Sequence, residues 1–152
     1  MREALVADLK TAMKTQDKCR VSTLRLINAA IKDRDIAARS QGKDCLTDAE
    51  VLEILAKMIR QRIESAKTYE EAGRLEMAER EREEISVITE YLPKQLDEDE
   101  MRSACAKTVD EIGAAGLRDM GRTMSALKER FAGKMDFSRA SCMVKEILRG
   151  AA

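Results

Sequence analysis

The side chains of this chain that could take part in chemistry are carboxylates, cations and four thiols, because it contains no histidine. That absence removes Ser–His and Cys–His nucleophile pairs, the HExxH zinc site and His-ligated haem. The thiols, Cys19, Cys45, Cys105 and Cys142, form no CxxC pair. No metal site is spelled out, and the cysteines read as small core fillers. Neither GxxxxGK(S/T) nor GxGxxG occurs, so no glycine loop is present to cradle a phosphate. Gly113-Ala114-Ala115-Gly116 reads as a turn. Nearly every Asp and Glu reads as a helix cap or a surface partner, and no polar residue is expected to interrupt an apolar stripe. No catalytic residue, cofactor or metal is therefore assigned. On the residues alone the best class is a small all-α binding or adaptor module.

The cations are the more informative group. The chain has 28 basic and 28 acidic residues, yet they are segregated. From Arg118 to the end, eight basic residues face four acidic ones, a net of +4. Lys14 to Arg34 holds six basic residues against Asp17 and Asp33, again +4. The compensating acid lies mainly on a central hairpin. Segregated charge can bind polyanions even at zero total. Basic residues near helix ends, such as Lys32, Arg34, Lys145 and Arg149, can equally answer the helix dipole. Phe131 and Phe137 are the aromatics of the C-terminal basic segment, and Phe131 is on the core stripe. Any nucleic-acid contact there would read backbone and shape rather than stack bases.

These residues must be positioned by helices. Of 152 residues 44% are hydrophobic, 37% charged and 3% aromatic, with one proline. That profile opposes a β-sandwich or barrel and favours charge-laced helices. Leu5, Leu9, Ala12 and Met13 form a one-faced helix. Asp17 caps a second with the stripe Val21, Leu24, Ile27 and Ile31, expected to fray at Ser40-Gln41-Gly42. Thr47 and Glu50 form a capping box, with Leu46 and Val51 as its staple. The stripe Leu52, Leu55, Ile59, Ile63, Ala66 then runs on to Tyr69, and Gly73 ends it. A fourth helix carries Leu75, Ala78, Ile85, Ile88 and Leu92. Its charged run, Glu79 to Glu84, reads as a solvated face with pairs such as Glu76–Arg80 and Arg80–Glu84. Pro93 stops it. Asp97, Glu100, Leu96 and Met101 repeat the box and staple. Three short helices follow with stripes Met101, Cys105, Val109, Ile112, then Met120, Met124, Leu127, Phe131, then Met143, Val144, Ile147, Leu148.

The fold expected is all-α, with an N-terminal four-helix domain over residues 1–92, including a long αα-hairpin. A small three-helix domain over residues 93–152 completes it. No apolar run approaches the roughly 20 residues of a membrane span. No signal peptide is evident, so a cytoplasmic protein with reduced thiols is expected.

Several stretches carry a family resemblance. Glu90-Tyr91-Leu92-Pro93-Lys94-Gln95-Leu96, followed by its acidic cap, resembles the junction of the YqeY-like proteins of the GatB/YqeY group. Ala12-Met13-Lys14, Ser22-Thr23-Leu24-Arg25 and Ala29-Ala30-Ile31-Lys32 are similar to that family's N-terminal helices. So are Gln61-Arg62-Ile63-Glu64-Ser65 and Ala72-Gly73-Arg74. Asp119-Met120-Gly121-Arg122 and Val144-Lys145-Glu146-Ile147-Leu148 resemble its C-terminal part. The resemblance implies a C-terminal domain similar to the tail of GatB, an amidotransferase subunit that amidates misacylated tRNA. It brings the label of a carbon–nitrogen ligase with glutamine as amido donor. Neither a nucleotide and Mg²⁺ site nor an activated nucleophile is legible, so this chemistry is not assigned to the chain alone.

The function expected on this basis is a tRNA-binding accessory protein linked to tRNA amidation or aminoacylation. The alternative is a helical adaptor docking to an aminoacyl-tRNA synthetase or amidotransferase. The candidate RNA contacts are Lys94, Arg118, Arg122, Lys128, Arg130, Lys134 and Arg139, with Arg20, Arg25 and Lys32 as weaker ones. No membrane contact is expected.

Overall fold

The computed structural model describes residues 1–40 and 42–150. Among them are seven α-helices: α1 (Arg2–Thr15), α2 (Lys18–Arg39), α3 (Asp48–Glu71), α4 (Leu75–Thr89), α5 (Glu98–Ile112), α6 (Met120–Arg130) and α7 (Phe137–Gly150). A short 3₁₀ turn, Leu117–Asp119, precedes α6, and no strand occurs among the described residues. The chain divides into two compact units, Met1–Leu92 and Pro93–Ala152. The all-α class is as the composition implied.

Local chemistry explains the helix ends. Asp17 accepts the Arg20 amide at 3.0 Å and starts α2. Thr47 and Glu50 form a complete capping box at α3, and Asp97 and Glu100 do the same at α5. The stapling residues Leu46 and Leu96 pack onto the cores holding Val51 and Met101. α3 ends in a Schellman motif. The Gly73 amide donates to Glu70 and the Arg74 amide to Tyr69, with Gly73 at φ +70°. Only glycine takes that backbone without strain. The expected fraying of α2 centres on Gln41, which lies outside the described residues; α2 itself ends at Arg39 with Ser40 as its cap.

In the first unit α1 packs on α2, α2 on α4, and α3 along α4 and more briefly on α2. Its core holds Leu5, Leu24, Ile27, Ile31, Val51, Leu55, Met58 and Ile88, with Tyr91 and Leu92 packed against it. In the second unit α5, α6 and α7 pack on one another. They bury Met101, Cys105, Val109, Leu127, Met143, Val144 and Leu148. Each fully buried Leu or Val contributes about 1.5–3 kcal/mol.

Several sequence expectations are corrected here. Met13, Ile63 and Leu75 are 52%, 53% and 67% exposed. α3 and α4 largely cover one another, so the buried stripe is narrower than the apolar pattern. Its floor is Val51, Leu55, Met58 and Ala66. A polar residue does interrupt that stripe: Arg62, with a side chain 12% exposed, pairs with Glu84 at 2.8 Å. Glu84 therefore faces α3 rather than Arg80, and Arg82 pairs across the hairpin with Glu70. Of the four cysteines only Cys105 is buried; Cys19 is half-buried, and Cys45 and Cys142 are exposed. Cys45 sits in the loop before α3, and Cys142 leaves α7 away from the buried Ala140, Val144 and Leu148.

Candidate functional site

The cations singled out in the C-terminal unit are all exposed. Arg118 lies in the 3₁₀ turn, Arg122, Lys128 and Arg130 on α6, Lys134 in the following loop, and Arg139 on α7; Lys94 precedes α5. Two are already engaged. Arg122 contacts Asp119 at 3.2 Å and donates to the Ile112 carbonyl at 3.3 Å. Arg130 pairs with Glu111 of α5. Arg118, Lys128, Lys134 and Arg139 make no ion pair among the described residues. Nor does α6 gather its cations on one side. At about 100° per residue, Arg122 points away from buried Thr123 and Leu127, while Lys128 and Arg130 leave from opposite flanks. The acids of the 3₁₀ turn and α5 thus neutralise part of the positive segment.

In the N-terminal unit the three weaker candidates separate. Arg20 makes a two-pronged bond to Glu90, at 3.0 and 2.5 Å. That bond holds its guanidinium pKa above the ordinary value, and the pair ties α2 to the segment after α4. Arg25 and Lys32 are exposed and make no ion pair among the described residues. They belong to a row that the sequence reading missed. Lys18, Arg25, Lys32 and Arg39 recur every seventh residue and are all exposed. Beside them lie Leu26 and Ile36, 48% and 57% exposed, with exposed Ala29 between. The seven-residue recurrence was the available signal.

The junction residues that carried the resemblance are anchored structurally. Tyr91, half-buried, donates its hydroxyl to Asp8 at 2.6 Å. Burial first, and then that bond, push its phenol up to about 12. In the second unit the Gln95 amide group donates to the Gly133 carbonyl at 2.6 Å, and the Leu96 amide to Lys134 at 2.8 Å. These groups hold the chain on either side of Pro93 to its own unit.

Two further polar clusters serve the fold. Arg2 grips Asp35 at 2.7 and 2.8 Å and the Leu46 carbonyl at 3.2 Å, while Asp35 accepts the Leu46 amide at 2.9 Å. The guanidinium of Arg2 and then the Leu46 amide hold the Asp35 carboxyl down at about 2. Near Arg62 and Glu84, burial and then the Glu84 charge raise the carboxyl of Glu81. Among the described residues no group of three or more His, Cys, Asp or Glu comes together to hold a metal. No described helix is long and apolar enough to cross a membrane.

Comparison with known proteins adds the family. The profile of the family described as Yqey-like protein matches residues 2–148. The protein "Altered inheritance of mitochondria protein 41, mitochondrial" of Clavispora lusitaniae is 32% identical over 114 residues, 73% of this chain and 64% of that protein. Its namesake in Pyrenophora tritici-repentis is 28% identical over 149 residues, covering 95% and 78%. That of Lachancea thermotolerans is 38% identical over 88 residues, covering 58% and 46%. The chain thus spans less than two thirds of the first and third of these relatives.

These relatives correct two expectations. The tie to tRNA amidation, with docking to a synthetase or amidotransferase as its alternative, is overturned. The relatives are named for mitochondrial inheritance, and nothing in the matches carries tRNA or amide transfer. The resemblance to the GatB tail, together with the two basic stretches, had supplied that function. The cytoplasmic expectation falls to the same names, all three of which read mitochondrial. With the family profile covering residues 2–148, the chain belongs to the YqeY-like family.

Proposed function

We propose that the chain is a helical docking module that binds a protein partner along the outer face of α2. The observation that carries this reading is the exposure of Leu26 and Ile36, 48% and 57%, on a 22-residue helix. The other side of that helix is already committed, through Leu24, Ile27 and Ile31, to the core. Large apolar side chains on the outer side of a helix lose apolar hydration when a partner covers them. The relatives' names support mitochondria as the compartment in which that partner is met. The two compact units are read as separate domains, with Lys94 in the link. Limited trypsin treatment should cut there first and release two stable fragments.

The test is site-specific crosslinking. A photoreactive residue replaces Leu26 or Ile36 in the full chain, and Ser125 on α6 as control. In a mitochondrial extract the α2 positions should capture one discrete partner, competed away by excess unlabelled protein. Equal, non-saturable capture from all three positions would remove the reading.

A further inference from the structure

We propose that the partner seated on α2 is an acidic amphipathic helix, held by the row Lys18, Arg25, Lys32 and Arg39 beside Leu26 and Ile36. The inference rests on the docking reading above and names the chemistry of the occupant. Seven residues of helix rise about 10.5 Å, and the row drifts only about 20° per repeat. Four cations therefore stay on one side of α2 with the period of a facing helix. Ala29 and Ile36 run along their edge and Leu26 stands about a quarter turn from the row, so apolar contact and charge share the outer side of α2, as in paired helices.

The fold gives these cations no ion-pair partner among the described residues. Arg39 alone feels the charge of a neighbouring acid, Asp35 one turn back, which Arg2 already holds, and the acid on the same outer face is Asp33. Asp17 is occupied as the cap of α2. Helix stability does not explain the row either. Lys18 is the first residue of α2, where the helix dipole disfavours a cation. Arg39 alone of the four lies in the last turn. A nucleic acid fits less well, because Leu26 and Ile36 offer it nothing and this face has no aromatic on which to stack a base.

The probe is a labelled synthetic helix of about three heptads, with Leu and Ala on one face and Glu at every seventh flanking position. Anisotropy is read as the full-length protein is added at low and moderate salt. Saturable binding that weakens with salt is expected. Arg25→Glu with Lys32→Glu should weaken it about tenfold, and a peptide with Lys in place of each flanking Glu should restore it. Arg25→Gln with Lys32→Gln should give an intermediate loss with unchanged helicity. No binding of the acidic helix, or equal binding by wild type and charge-reversed protein, overturns the proposal. If Leu26→Glu abolishes binding while the charge variants leave it intact, the docking face stands and the acidic partner falls. A poly(U) strand that displaces the peptide from wild type also overturns it.

Discussion

Removing Arg62 should destabilise the N-terminal unit more than any loss of an exposed ion pair. The Arg62 side chain is 12% exposed and that of Glu84 is 23% exposed. Arg62 also donates to the Met58 carbonyl at 3.4 Å. Truncation to Ala would strand Glu84 in the hairpin, close to Glu81, whose carboxyl is already raised by burial and by Glu84. Breaking a buried pair from one side costs about 3–5 kcal/mol. The remaining exposure lets water reach Glu84, which brings the expectation to about 2–3 kcal/mol. Exposed pairs such as Lys67–Glu71, 76% and 68% exposed, contribute about 0–1 kcal/mol.

The assay exploits a feature of the composition. Both tyrosines, Tyr69 and Tyr91, lie in the first unit, and the chain has no tryptophan. Tyrosine fluorescence in urea therefore follows that unit alone. With a slope of about 1–1.5 kcal/mol per molar urea, Arg62→Ala should lower the midpoint by about 1.3–3 M. Arg62→Met combined with Glu84→Leu should recover most of the loss, since an apolar pair of similar volume can replace a buried ion pair. A loss under about 0.5 kcal/mol for Arg62→Ala would refute the reasoning. So would a double variant whose loss is the sum of the two single ones.

Other outcomes follow from the same geometry. Asp35 and Glu50 have carboxyls held at about 2, by Arg2 and the Leu46 amide in one case and by the Thr47 amide and Lys43 in the other. Lowered folded-state values mean that their stabilisation is complete above pH ~4 and lost as pH falls towards 2; Asp35→Asn should flatten that part of an acid titration followed by tyrosine fluorescence. Cys45 and Cys142 should react at once with a thiol reagent, while Cys105, buried and with its thiol pushed up by that burial, should react only on unfolding. Leu127→Ala, at a fully buried site of the second unit, should cost about 2–5 kcal/mol. It should lower the far-UV melting of that unit and leave the tyrosine transition in place.

What could be read in the sequence was what is local. The boxes Thr47–Glu50 and Asp97–Glu100 and the stop at Gly73 depend on residues three to five apart, and all three are present. Stripes were legible as stripes, but their buried edge was not, because it depends on which helix lies alongside. Ile63 and Met58 share a helix that looks apolar from both; the core of the first unit takes in Met58 and leaves Ile63 open. The ion pairs that matter join residues 22, 33 and 70 apart, Arg62 to Glu84, Arg2 to Asp35 and Arg20 to Glu90. Charge counting along the chain cannot see such distances.

The same limit shaped the view of the candidate site. From the sequence, Arg25 is the cation of Arg20, Arg25 and Lys32 expected to pair within the bundle; the structure pairs Arg20 instead. The fold separates them: Glu90 takes Arg20, while Arg25 and Lys32 are left in the row with Lys18 and Arg39. Lys32 and Arg34 do not answer the dipole of α2 either. α2 runs on to Arg39, so neither residue lies in its last turn. Of the four cations, only Arg39, in the last turn, is favoured by the dipole of its own helix. Their spacing is matched by another helix lying alongside, and Leu26 and Ile36 supply the apolar contact that such a helix needs.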